Sequence, residues 1–344
     1  MRDDGLITIR RHVRRHLEST ELMEGSSLPT KSTRREFLAL SVRRGASLAF
    51  CDVFISSMGI RSDAYVRRPH RSLAEVIQSI PRFFCTAYIT PDAPGQGGQE
   101  PIVARYPIAL VPQDDRGPFR RWRDRVKALN AEILLLGYQM VIEETPVPGP
   151  GHDILRKVQG AWCSYPGGMI PAVAGWGKVP RRRIFDPRRP QWRDAFFDAC
   201  RATLRSYPYA GLLLDQCTVY TRAHPDSAVR AEMNSALQDA IIALREEFPE
   251  AILVGNSSFS WTGLNGEMNE GRPSALKKEL SPYRSHASPR VELCHERLQR
   301  ADDIDSVRRA MAVAHSHDAF FGAAVDYQHV IWFDCFDRVT STTG

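Results

Sequence analysis

From residue 102 onward the chain alternates two kinds of pattern. Short runs rich in aliphatic and aromatic residues end on acidic or amide side chains, and stretches with apolar residues at helical spacing lie between them. FRRWRDRVKALNAE puts Phe119, Trp122, Val126 and Leu129 on one helical face. Pro190 suits a first helical turn, and Trp192, Phe196, Cys200 and Leu204 follow along one stripe. Pro225-Asp226-Ser227 opens a third helix, striped by Val229, Met233, Leu237, Ala240, Ile241 and Leu244. DDIDSVRRAMAVAHSH, from Asp302, predicts a fourth.

The remaining runs predict strands at 102–111, 133–142, 183–186, 211–215, 251–256, 266–270, 290–296 and 320–326. Most are continuously apolar rather than alternating, as befits strands covered on both faces, and that implies a parallel sheet between helices. Eight such strands favour a (β/α)8 barrel of the TIM type, in the α/β class, over an open doubly wound sheet. Only 18 residues follow Asp326, so the last helix is expected to be incomplete.

Residues 65–100 lack the pattern. TPDAPGQGGQEP reads as loop, so this segment is expected to be a linker or an N-terminal cover, with the barrel domain at 101–344. Residues 1–64 form a leader with ten Arg and one Lys against eight acidic residues. Within it, TKSTRREFLALS resembles the bacterial twin-arginine export signal through Arg34-Arg35 and Phe37-Leu38. Arg43-Arg44 and Asp52 depart from that pattern by interrupting the apolar stretch. The resemblance implies passage through the twin-arginine export machinery to the periplasm or the medium. A leader that does not function leaves the protein cytoplasmic.

Composition narrows the partners. Half of the formal charge of +6 sits in the leader, which leaves no basic footprint for nucleic acid on the rest of the chain. No stretch offers the roughly 20 apolar residues of a membrane span, so no stable membrane insertion is expected. The seven cysteines form no CxxC or Cys/His cluster, and His315 and His317 lie two apart on a predicted helix, facing different ways. No glycine-rich phosphate loop is present. Neither a metal nor another cofactor is therefore expected.

The chemistry is expected at the strand ends, because side chains there point into the active site of such a barrel. Asp215 ends the run GLLLD, which is otherwise bound for a core. A carboxylate is costly in such a place unless it is paired or used. Cleavage of a glycosidic bond needs two carboxyl groups, one to protonate the leaving oxygen and one to act as nucleophile or base. Strand alternation puts Met268 and Glu270 on one face and Glu267 on the other, which favours Glu270 as the partner of Asp215. Asp114, Glu143, Asn256, Glu267, Glu296 and Asp326 end other strands and are expected to line a carbohydrate site. Trp162, Trp176, Trp261 and Trp332 fall in loops after strands, where an indole stacks on a sugar ring. Of these, Trp176 and Trp261 are the expected substrate contacts.

IFDPRRPQWRDAFFDACRATLRSYPYAGLLLDQ and GLNGEMNEGR resemble the hypothetical glycosyl hydrolase groups of the (β/α)8-barrel superfamily, which are distantly similar to endo-α-1,4-polygalactosaminidases. The shared pattern is a short strand closing on Asp186, the helix start Trp192-Arg193, the strand Gly211–Asp215 and the segment Gly266-Glu267-Met268-Asn269-Glu270-Gly271. The resemblance implies a glycoside hydrolase acting on a polysaccharide or glycoconjugate, with Asp215 as nucleophile and Glu270 as general acid/base. Two alternatives stand beside it. One is a barrel that binds carbohydrate without cleaving it. The other is an ester hydrolase using Asp215 with a histidine such as His295, against which the lack of a GxSxG elbow counts.

Overall fold

The computed structural model describes residues 72–88, 91, 97–143, 149–158, 184–219, 224–256, 262–270 and 287–340. The leader with Arg34-Arg35 and the loop tryptophans Trp162, Trp176 and Trp261 lie outside the described residues.

Eight parallel strands pair in chain order: β1 (Phe84–Thr86), β2 (Ile108–Val111), β3 (Leu134–Met140), β4 (Gly211–Asp215), β5 (Ile252–Asn256), β6 (Gly266–Glu270), β7 (Leu293–Arg297) and β8 (Phe320–Ala324). A parallel bridge between Phe83 and Phe321 joins the last strand to the approach of the first, so the sheet curls into a barrel. The Tyr88 amide donates to the Tyr327 carbonyl at 2.8 Å and continues that seam above the strands.

The strands are joined and flanked by α1 (Leu73–Ser79), α2 (Glu100–Val103), α3 (Gly117–Leu129), α4 (Pro150–Lys157), α5 (Pro190–Ser206), α6 (Ser227–Glu247), α7 (Ile304–Ser316) and α8 (Asp334–Thr340). Their starts are set by local chemistry. Ser72 and Glu75 form a capping box on α1, Pro190 begins α5, and the Asp226 and Asp303 carboxylates take amide hydrogens at the starts of α6 and α7.

Alternation divides the strand side chains between two cores. Phe84, Ile108, Leu110, Leu136, Tyr138, Leu213, Val254, Met268, Leu293 and Phe320 fill the barrel interior, with Ile77 of α1 among them. Residues of the opposite parity, such as Leu212, Leu214 and Leu253, pack against the helices, where Trp192 stacks on Phe196 at 5.0 Å. This two-sided burial is why the strands read as unbroken apolar runs.

Two expectations need correction. The run at 183–186 is not a barrel strand: Ile184 pairs antiparallel with Glu143 beyond the end of β3, and the Phe185 amide donates to the Ile142 carbonyl at 2.8 Å. Ile184 and Phe185 are buried there, so the composition of the run imitates a strand. The barrel also begins earlier than 101, because β1 lies at Phe84–Thr86 inside the segment expected to be linker or cover. Three residues are too short for a periodic signal, although they pair with Ile108, Ala109 and Leu110 of β2. Among smaller differences, Leu129 is exposed rather than on a buried face.

The strands that carry the candidate pair both begin on glycine. A Cβ at Gly211 would stand 1.9 Å from the Ile252 carbonyl oxygen, and one at Gly266 would stand 2.1 Å from that of Val291. Both obstacles are backbone, which cannot rotate aside. Gly211→Ala is expected to cost about 1–3 kcal/mol of stability through overpacking, seen as a lower melting temperature; an unchanged melting temperature would contradict this close approach.

Candidate active site at the C-terminal mouth of the barrel

Asp215 is the last residue of β4 and shares its inward parity with Leu213. It is 5% exposed. The Tyr138 hydroxyl donates to its Oδ2 at 2.5 Å, and the Gln216 amide donates to its Oδ1 at 2.8 Å. Gln216 has φ 59°, the left-handed region in which a side chain is strained. The Cys217 amide, bonded to the Asn256 carbonyl at 3.1 Å, holds the turn in place. Strain of this kind persists only where the surroundings enforce it, and it gathers at functional sites.

Glu270 ends β6 with the same inward parity as Met268 and is exposed at the mouth. Its Oε1 accepts from the Tyr327 hydroxyl at 2.9 Å. Three tyrosines link the two carboxylates: the Tyr88 ring lies 5.3 Å from that of Tyr138 and 5.8 Å from that of Tyr327. One end of this aromatic wall donates to Asp215 and the other to Glu270.

The electrostatics agree with that proximity. Burial pushes the Asp215 carboxyl up to about 6, with Tyr138 opposing, the Glu270 charge adding, the Gln216 amide opposing and Glu143 adding. Burial likewise raises the Tyr88 hydroxyl, followed by the charges of Asp215 and Glu270. Glu270 and Glu143 therefore both lie within electrostatic reach of Asp215.

The other expected residues separate. Glu143 is buried beyond the end of β3 and Asn256 ends β5, both near the mouth. Glu267 faces away from the interior, as alternation requires, and is buried with its amide donating to Glu292 at 3.0 Å. Glu296 has outward parity on β7. Asp114 is buried and is held by the amide and guanidinium of Arg116. Asp326 closes a local turn by accepting from the Gln328 and His329 amides at 2.8 Å. Trp332, one of the four tryptophans placed in strand-end loops, packs edge-on against Tyr106 and Phe336 and under the Arg105 guanidinium, 4.2 Å from its ring centre.

The tyrosines were not singled out from the sequence, and His295 was named only as a partner of Asp215 in the ester-hydrolase alternative. Tyr138 did carry a signal, being a hydroxyl in the otherwise inward-facing apolar series of β3.

No protein-family model matches the sequence, and no curated protein matches it. Solved structures do match the fold, a (β/α)8 barrel. The glycoside hydrolase domain of PelA from Pseudomonas aeruginosa superposes with a TM-score of 0.50 at 15% identity, over 72% of this chain and 96% of that one. The α-galactosidase TtGalA from Thermus thermophilus superposes with a TM-score of 0.51 at 14% identity, over 78% of this chain and 64% of that one. At such identities the likeness is one of fold. Among the described residues no helix is long and apolar enough to cross a membrane.

Proposed function

We propose that this protein is a glycoside hydrolase in which Asp215 is the nucleophile and Glu270 the general acid/base. The observation that carries the reading is the placement of two inward-parity carboxylates at the mouth ends of β4 and β6, each held by a tyrosine from one continuous aromatic wall.

The division of roles follows from their surroundings. Both oxygens of Asp215 accept hydrogen bonds, which favours its anion and fixes its direction, as a nucleophile requires. Glu270 stands in solvent at the mouth, where it can deliver a proton to a leaving oxygen and then take one from water. Attack by Asp215 on the anomeric carbon forms a glycosyl ester as the bond to the leaving oxygen breaks and Glu270 protonates that oxygen. Water, deprotonated by Glu270, then opens the ester and restores both carboxyl groups. The resemblance of TKSTRREFLALS to an export signal supports a substrate met outside the cytoplasm, a polysaccharide or glycoconjugate.

The test is a panel of polysaccharides and of 4-nitrophenyl glycosides of both anomeric configurations. The expected result is release of reducing ends or nitrophenol by the wild type and none by Asp215→Asn. Retention of affinity without any turnover by the wild type would favour a carbohydrate-binding barrel instead.

The active form needs ionised Asp215, so kcat/KM is expected to fall as pH drops below about 6. The Tyr138 hydroxyl bonds to the charged form and lowers the Asp215 pKa, so its removal must raise it. Tyr138→Phe is expected to move the acidic limb upward by roughly one pH unit, about 1.4 kcal/mol, in line with a hydrogen bond to a charged group. A limb that stays in place would detach Asp215 from the reaction.

A further inference from the structure

His295 lies beside Glu270 in the ladder between β6 and β7 and shares inward parity with Leu293. It is 2% exposed. On its other flank the ladder partner is Gly322, which adds no side chain to the layer. One ring nitrogen, Nε2, lies 3.4 Å from the Thr86 hydroxyl at the end of β1. The other, Nδ1, is buried and has no hydrogen-bond partner among the described residues. The ring is flanked by Phe84 at 6.0 Å and by Tyr327 at 5.3 Å, and the Tyr327 hydroxyl is already committed to Glu270. Its ladder neighbour Glu270 is exposed at the mouth.

A buried polar nitrogen without a partner is destabilising, so its retention beside a catalytic carboxylate calls for a use. We propose that His295 is a substrate-positioning residue whose Nδ1 hydrogen-bonds a hydroxyl group of the sugar ring seated between Asp215 and Glu270. This rests on the glycosidase reading above and assigns that site a specificity contact. Burial and the nearby Arg297 push the imidazole down to about 4, so it is neutral at physiological pH. A neutral imidazole presents one donor and one acceptor, and Thr86 uses one of them. A sugar hydroxyl both donates and accepts, so it satisfies Nδ1 in either tautomer. An ammonium group or a carboxylate satisfies only one.

The experiment compares the wild type, His295→Phe and His295→Gln on the 4-nitrophenyl glycoside that the wild type hydrolyses fastest, and on its monodeoxy analogues. Loss of a hydroxyl that meets a buried polar group should lower wild-type kcat/KM about 10- to 100-fold at one ring position. His295→Phe should lose a similar factor on the parent glycoside and show no further loss with that analogue. His295→Gln, which can still donate and accept, should recover part of the discrimination. The melting temperature of His295→Phe should equal or exceed that of the wild type, because an unpartnered nitrogen has been removed. An equal loss on the parent and every analogue, with a lower melting temperature, would make His295 a structural residue and overturn the proposal. So would unchanged kinetics on all substrates. A wild type inert on every glycoside would overturn the glycosidase reading itself, and the His295 role with it.

Discussion

Asp215→Asn is expected to abolish turnover and to make the protein more stable. Removal of a nucleophile should lower kcat on the order of 10⁴-fold or more. The stability gain follows from linkage. Asp215 titrates at about 6 in the folded protein, against 3.8 for an unperturbed aspartate. As pH rises from 4 to 6 the unfolded chain gives up this proton first, so folding is progressively penalised, and the penalty is complete above the folded value. The upward shift corresponds to about 3 kcal/mol at neutral pH. Asparagine escapes that penalty but matches the two donors of Tyr138 and Gln216 less well, which leaves a net gain of about 1–3 kcal/mol. For a domain of this size that is about 2–4 °C in melting temperature per kcal/mol. The gain should be seen at pH 7 and should shrink towards pH 4. A variant less stable than the wild type at both pH values would contradict the burial cost assigned to Asp215.

Glu270→Gln should behave differently, because an acid/base residue matters in proportion to how much help the leaving group needs. On a polysaccharide, whose leaving group is an unactivated alcohol, the expected loss is about 10²–10⁴-fold. On a 2,4-dinitrophenyl glycoside the first step needs no proton, so a rapid burst of dinitrophenolate should survive while steady turnover stalls at hydrolysis of the ester. Equal losses on both substrates would show that Glu270 has another role.

The barrel was legible in the sequence because parallel strands buried on both faces cannot hide their composition. Leu212, Leu213 and Leu214 face alternately outward and inward, and both sides are apolar. The exceptions were physical. β1 is three residues long, pairs with β2 and is joined to β8 through the bridge of Phe83 to Phe321, so no local period betrays it. Ile184 and Phe185 are as buried as strand residues yet pair antiparallel, outside the barrel ladder. One misplaced strand and one missed strand offset each other, so Asp215 and Glu270 were still assigned to the fourth and sixth strands.

The site was legible only in part. Glu270 was separated from Glu267 by strand alternation alone, and the structure gives them opposite parity. Asp114 and Asp326 look the same as Asp215 in sequence, each being an acid after an apolar run. What distinguishes them is the use of their oxygens, in the Arg116 pairing and in the turn at 326–329. The tyrosine wall depends on side chains from three separate segments meeting at the mouth, and no single stretch of sequence contains that meeting.

The most direct measurement is mass spectrometry of Glu270→Gln after brief exposure to an activated 2,4-dinitrophenyl glycoside that the wild type cleaves. With water activation removed, the protein should carry one glycosyl unit, and peptide mapping should find it as an ester on Asp215. A glycosyl unit on any other residue, or turnover without a covalent adduct, would contradict nucleophilic catalysis by the strand-end aspartate.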